Sequence, residues 1–295
     1  MSYIISNKQY LAPTEVRAKY EPLLFDIEGL GIEKMDVNFG HPLYTALADV
    51  CFVKSISAEK RYFPVAPDGC MTLVCRVKGE DAQAYVCGVI DEIKKVEIEP
   101  DEYYVFMRFV PGVGYSLMKD NANQYTNKTL GIRRNMAGGD QIMSILVRDT
   151  PLIERVRLIS KVIRVYLQGE EDKYLIKYCT EKIFSTQGNI RIEALAEETG
   201  FTSRHIGKMF ERCVGISPKL YSQIVRLQMS MGKIATDRED LLLDIAVDSG
   251  FFDHAHMNRV YKKMIHCSSG EFRKYSFDRL DYSQTDDYLQ PKELI

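Results

Sequence analysis

Leu195-Ala196 followed by Gly200-Phe201 returns fifty residues later as Ile245-Ala246 followed by Gly250-Phe251. After one residue of slippage, Ile206-x-Lys208-Met209-Phe210 returns as Met257-x-Arg259-Val260-Tyr261. Each copy reads as a short helix, a glycine turn and a second helix. That is the pattern of a helix-turn-helix, whose second helix enters a DNA major groove. Two copies in one chain predict two groove contacts made by one polypeptide.

The residue types fit that geometry. Gly200 and Gly250 supply the tight turns, and Ala196 and Ala246 supply the small residues where two helices cross. Ile206, Met209 and Phe210, then Met257, Val260 and Tyr261, form a buried stripe at helical spacing. This leaves an outward face on each second helix. In the first copy it is Ser203, Arg204, Gly207, Lys208 and Arg212; in the second it is His254, Ala255, Asn258, Arg259 and Lys263. Arg and Lys read guanine O6 and N7, Asn reads adenine, and small residues accept a thymine methyl. Gly207 adds no side-chain contact, so the first helix relies on Arg204 and Lys208. A lone basic residue on a helix is usually only solvated, but matched positions in a duplicated unit argue otherwise. His205 and His256 fall beside the buried stripe and read as structural, whereas periodicity points His254 outward.

Boundary signals place the helices. Helical periodicity starts at about Tyr174, and a first helix runs to about 186. Thr202 and Asp253 are N-cap residues for the two recognition helices. Ser217-Pro218 opens a longer helix towards Thr236, and Ser268 caps a last helix ending near Phe277. At ~1.5 Å per residue, a connecting helix of about 19 residues spans roughly 28 Å. That approaches the ~34 Å between successive major grooves on one duplex face, with slight DNA bending making up the difference.

The first 130 or so residues have another texture. Turn signals recur at Gly40-His41-Pro42, Ala66-Pro67-Asp68-Gly69, Lys78-Gly79-Glu80-Asp81, Glu99-Pro100-Asp101 and Pro111-Gly112-Val113-Gly114. Between them lie short runs rich in Val, Tyr, Phe and Ile, such as 70–77, 83–89 and 103–109, which predict a sandwich or barrel. After Gly138-Gly139-Asp140, Pro151 to Leu167 takes up helical periodicity, and Gly169 to Lys173 reads as a solvated hinge. The expected class is therefore α+β: a β-rich sensor or dimerisation domain over 1–135, a helical linker over 136–172, an all-α DNA-binding domain over 173–280, and a mobile acidic tail over 281–295.

Composition bounds the function. The formal net charge of −2 argues against coating nucleic acid by charge alone. Residues 186–280 carry 14 Lys and Arg against 12 Asp and Glu, a balance of +2, so positive charge must be concentrated on one face. No N-terminal export pattern and no apolar run of membrane-spanning length stand out, which predicts a cytoplasmic protein with no membrane partner. The seven scattered cysteines contain no Cys-x-x-Cys pair and read as buried free thiols, not zinc ligands. Of five histidines only His41 precedes residue 200, which puts a multi-histidine metal site in the first half out of reach. No nucleophile-elbow pattern accompanies it. No cofactor, metal or catalytic group is expected.

Residues 174–280 resemble the AraC/XylS family of bacterial transcription regulators. The resemblance is carried by Ile192-Glu193-Ala194-Leu195-Ala196, Ser203-Arg204-His205-Ile206-Gly207-Lys208-Met209-Phe210, Gly215-Ile216-Ser217-Pro218-Lys219-x-Tyr221, and Asp244-Ile245-Ala246-x-x-x-Gly250-Phe251-x-Asp253-His254-Ala255-His256-Met257. One departure is Ser269, where the family usually has proline after the serine that opens the last helix; this is expected to weaken a cap. The resemblance implies that Arg204, Gly207, Lys208, His254, Ala255, Asn258 and Arg259 face bases. Phe63-x-x-x-Pro67-Asp68-Gly69-Cys70 and Arg108-Phe109-x-Pro111-Gly112 are similar to the cupin-like sensor domain that precedes some such modules. It implies a small-molecule effector or a dimer contact. Asp68, Arg76 and Arg108, polar groups on or beside apolar strands, are the candidate effector ligands; solvent exposure is the alternative.

The expected function is an effector-responsive, sequence-specific regulator, with promoter DNA, a small molecule, RNA polymerase and a second copy of the chain as partners. The resemblance alone favours an activator. Two rivals differ in class. One is a helical protein-interaction adaptor without DNA binding. The other is a DNA-repair regulator with a reactive cysteine in the first domain, for which Cys70 and Cys75 are the candidates.

Overall fold

A computed structural model describes residues 27–35, 37, 43, 45–167, 173–236 and 240–277. His41 and its turn, the centre of the expected hinge and the acidic tail lie outside the described residues.

The strand runs form two sheets. β1 (Leu30–Met35), β2 (Leu47–Ser55), β4 (Thr72–Lys78), β5 (Asp81–Cys87), β7 (Tyr103–Phe109) and β8 (Thr129–Gly131) make a six-stranded sheet in the order β1-β2-β7-β4-β5-β8. β3 (Arg61–Val65) and β6 (Lys94–Ile98) pair as a second sheet. Every pairing is antiparallel. Central strands are buried in near-continuous runs: in β4 Leu73, Val74, Cys75 and Val77, in β7 Val105 through Phe109. That pattern is expected where both faces of a sheet are covered. The β4–β5 hairpin closes Lys78 on Asp81 through Gly79-Glu80. The Pro67-Asp68-Gly69 turn works as its chemistry predicts: Asp68 Oδ1 accepts from the Cys70 amide at 2.8 Å, and Gly69 sits at φ +74°.

Three helices follow, α1 (Ile132–Asn135), α2 (Gly139–Leu146) and α3 (Leu152–Tyr166). Within the segment expected as a helical linker, α2 and α3 cover residues 139–146 and 152–166. Their apolar side, Ile142, Ile145, Leu146, Val156, Ile159 and Ile163, is buried in the core shared with the strands.

The elements among the remaining described residues are all helices, as periodicity predicts: α4 (Lys173–Ser185), α5 (Ile192–Thr199), α6 (Ser203–Cys213), α7 (Pro218–Thr236), α8 (Leu242–Asp248), α9 (His254–Ile265) and α10 (Ser269–Phe277). The expected cap at Ser268 is stronger than the Ser269 departure implied. Glu271 takes both the amide and the hydroxyl of Ser268 at 2.6 Å, and Ser268 Oγ accepts the Glu271 amide at 3.2 Å. This reciprocal capping box needs no proline. One apolar core runs unbroken from the sheet residues Leu73 and Met107 to Phe210, Tyr221 and Tyr261 of the helices.

Candidate nucleic-acid interface and effector cavity

The two helix-turn-helix units are α5–α6 and α8–α9, joined by the 19-residue α7. Gly200 (φ +73°) and Gly250 (φ +79°) make the turns. Thr202 Oγ1 accepts the His205 amide at 3.1 Å, and Asp253 Oδ1 accepts the His256 amide at 2.6 Å, so both recognition helices start on the expected caps. The stripe Ile206, Met209, Phe210 and its counterpart Met257, Val260, Tyr261 are buried.

On the outward side Arg204, Lys208, Ala255, Arg259 and Lys263 are exposed, while Ser203, Gly207, Arg212, His254 and Asn258 are half-buried. Neither recognition helix has its charged face turned into the protein. Both histidines beside the buried stripe make ring contacts, although His205 is exposed and His256 half-buried. His205 stacks on Phe201 with ring centres 4.8 Å apart, and His256 meets the edge of Phe251 at 5.6 Å. Burial, then the nearby Arg259 and Arg226 charges, hold His256 below the usual histidine range. Its Nδ1 accepts the Phe252 amide at 3.3 Å, so the neutral ring carries its proton on Nε2.

Asn258 differs from the expectation that it reads adenine. Its Oδ1 accepts from both the amide and the hydroxyl of fully buried Ser269, at 2.9 and 2.8 Å. Its Nδ2 lies 3.1 Å from His254 Nε2, which is itself 3.1 Å from Ser269 Oγ. The amide and the imidazole are therefore committed to the joint between α9 and α10. The serine that replaces the family's proline brings an amide hydrogen that needs an acceptor, and Asn258 supplies it. Asn258→Ala leaves the amide and hydroxyl of Ser269 without that acceptor and is expected to cost about 1–3 kcal/mol of stability. Urea denaturation checks this; an unchanged midpoint would return Asn258 to the groove-facing set.

The second site lies between the two sheets. An open-mouthed cavity is walled by Phe63, Val65, Val74, Ile90, Val96 and Phe106, with Asp68, Arg108, Lys94 and Thr72 as its polar groups and Cys51, Cys70 and Cys87 as thiols. Arg108 is buried at its polar end. The β2–β7 register sets Arg108 opposite Asp49, and the guanidinium grips that carboxylate through Nε (2.7 Å to Oδ1) and Nη2 (to Oδ2). Nη1 reaches Asp68 Oδ2 at 3.4 Å. Burial outweighs the pull of Arg108 and raises the Asp68 carboxyl above its usual range. Lys94 is tied to Glu92 at 2.9 Å.

Of the expected effector ligands, Asp68 and Arg108 line this cavity and Arg76 does not. Arg76 shares a face of β4 with Thr72 and Val74 but lies beyond the cavity. There Glu102 binds it through Oε1, 3.0 Å from Nε, and Asp81 lies 3.4 Å from Nη1. Asp49, which fixes Arg108, was missed, although a carboxylate inside Leu47-Ala48-Asp49-Val50-Cys51-Phe52-Val53 is itself a signal. The seven cysteines are free thiols. Burial pushes Cys75 up to about 12 and Cys70 well above the thiol range. Neither has the low-pKa, electropositive setting that an alkyl acceptor requires.

Comparison with known proteins agrees with this geometry. A helix-turn-helix domain model matches residues 195–275, and a model for a domain of unknown function, DUF6597, matches residues 42–131. Over 108 residues the chain is 25% identical to the HTH-type transcriptional regulator MtrA of Neisseria gonorrhoeae, covering 37% of this chain and 36% of that protein. The match thus spans about a third of that relative's length. Over 100 residues it is 25% identical to the probable transcription factor PqrA of Proteus vulgaris, covering 34% of this chain and 80% of PqrA. Among solved structures it is similar to ToxT of Vibrio cholerae, at 14% identity and a TM-score of 0.40, covering 83% of this chain and 97% of that one. No helix among the described residues is long and apolar enough to cross a membrane. With two capped, outward-facing recognition helices inside the matched segment, the chain carries an AraC-type helix-turn-helix domain.

Proposed function

We propose that this regulator binds one operator half-site with both helix-turn-helix units and adjusts that binding to a small molecule held in the cavity of its N-terminal domain. The observation that carries the reading is that the cavity walls are also the contacts to the DNA-binding units. The 67–70 turn places Asp68 and Cys70 in the cavity wall, and its Pro67 carbonyl accepts from Gln228 Nε2 of α7 at 2.7 Å. The 88–94 loop supplies Gly88, Ile90 and Lys94 to the cavity, and its Ile93 amide donates to the Met264 carbonyl of α9 at 2.7 Å. Behind Gly88, Thr126 Oγ1 donates to the Gly215 carbonyl, just after α6, at 2.6 Å. A ligand that reshapes either loop acts on α7 and on the ends of both recognition helices. A ligand that favours one docking arrangement shifts the population competent for DNA.

The domain plan behind this is a β-rich sensor with its packed helices, then the helical DNA-binding part. We read the output as activation through RNA polymerase, on family resemblance, with a homodimer placing two half-sites together. The adaptor reading makes no use of the exposed cations at matching positions, Lys208 and Arg259.

A selected duplex provides the test. Lys208→Ala and Arg259→Ala are each expected to weaken binding roughly tenfold and to reduce the salt dependence by about one counterion. Binding that ignores salt and both substitutions would favour the adaptor. Equal DNA affinity with and without every ligand that raises the melting temperature would reduce the first domain to a clamp.

A further inference from the structure

The two helix-turn-helix copies differ by one residue in the turn. Gly200-Phe201 runs straight into the cap Thr202, whereas Gly250-Phe251 is followed by Phe252 before the cap Asp253. Phe201 and Phe251 have the same task, packing on His205 and His256. Phe252 is the additional residue, and it is 88% exposed. An apolar residue just before an N-cap ordinarily folds back onto the fourth helical position as a staple. Here that position is Met257, fully buried without it. Phe252 is therefore excused from the usual packing role. Its backbone is nevertheless fixed to the first turn of α9, because its amide donates to His256 Nδ1. A large apolar group is thus held in water at the end of the recognition helix that leads into the groove, beside exposed Ala255 and ahead of exposed Arg259.

We propose that Phe252 is a specificity-determining residue that packs on the 5-methyl group of a thymine at one operator position. Phenylalanine is among the side chains that make this contact in the major groove, where the methyl distinguishes thymine from the other bases. Continuity with the cationic face of α9 favours DNA over a protein partner. The inference rests on the DNA-binding reading above.

The experiment uses the full chain. An operator is selected from a random duplex library, and each of its thymines is replaced in turn by deoxyuridine, which removes only the methyl. At one position the wild type is expected to lose about fourfold in affinity, the value of one methyl-sized apolar burial. Phe252→Ala is expected to bind the thymine duplex about as weakly as the wild type binds the uracil one, and to show no further penalty at that position. Penalties at other thymines should persist in the variant. The exposed site makes this variant safe for folding, which its melting temperature checks. If Phe252→Ala keeps wild-type affinity and the wild-type thymine preference everywhere, the inference is overturned. It is equally overturned if the variant weakens binding while every thymine penalty remains, or if only transcription with RNA polymerase is lost. Selection of no duplex at all would instead sink the DNA-binding reading, and this inference with it.

Discussion

Arg108→Leu is expected to cost about 3–5 kcal/mol of stability, the range for breaking a buried ion pair by removing one partner. Arg108 is 7% exposed and stands between the carboxylates of Asp49 and Asp68, at 5% and 6%. Leucine leaves two buried carboxylates facing each other. Lys34 lies 4.0 Å from Asp49 but is 42% exposed and so weakly coupled. Arg108→Lys keeps the charge without the fork that grips Asp49, so its loss should be smaller but not absent. The pH dependence has a definite sign. A carboxyl whose folded pKa is raised keeps its proton where the unfolded chain has lost it, so folding gains as pH falls through the folded pKa towards the unfolded one. Asp68 is already raised with Arg108 present. Removing the cation raises it further, and the deficit of Arg108→Leu should shrink between pH 7 and pH 5. Urea denaturation at the two pH values reads both quantities. A loss under about 1 kcal/mol that ignores pH would mean that the cluster is solvated and that the cavity's polar end is open to water.

This cluster also marks the limit of what the chain reveals before folding. The helix-turn-helix units were legible because their signals are local: a cap, a glycine and a 3.6-residue stripe all lie within one or two turns. Thr202, Asp253 and Pro218 sit where that chemistry places them. Strands 72–78 and 103–109 were legible as apolar runs between turns, but their order in the sheet, with β7 between β2 and β4, was not. Arg76 and Arg108 look alike in sequence, each a cation in an apolar strand. Only register separates them, by setting Arg108 against Asp49 within the cavity and Arg76 near Glu102 outside it. Asn258 shows the same limit: its helical position predicts a groove-facing amide, but the fold also brings Ser269 within hydrogen-bond reach of it. The Ser268-x-x-Glu271 capping box, by contrast, was a local signal that the proline departure obscured.

The link between cavity and DNA-binding part depends on close backbone approach, and that makes Gly88→Ala the second large effect. A methyl at Gly88 would meet the Tyr125 carbonyl oxygen at 2.0 Å, its carbon at 2.3 Å and the Thr126 nitrogen at 2.8 Å. All three are backbone atoms, so no side chain can swing aside. The segment is also laced in place, because the Gly88 amide donates to Lys128 and the Asn127 amide to Val89. Overpacking of this kind costs about 1–3 kcal/mol and more when backbone must shift, so we expect about 3 kcal/mol. The strain should have a direction. Moving 125–128 outward displaces Thr126, whose hydroxyl holds the Gly215 carbonyl, and thereby frees the end of α6 from the first domain. Hydrogen exchange over 210–216 should accelerate beyond what global destabilisation explains. Gly131→Ala is the control, since its added methyl meets nothing within 4 Å and Gly131 sits at φ −59°. If Gly88→Ala matched that control in both urea midpoint and exchange, Gly88 would have room that the close approach denies. The 88–94 loop would then lose its standing as a route from cavity to recognition helix.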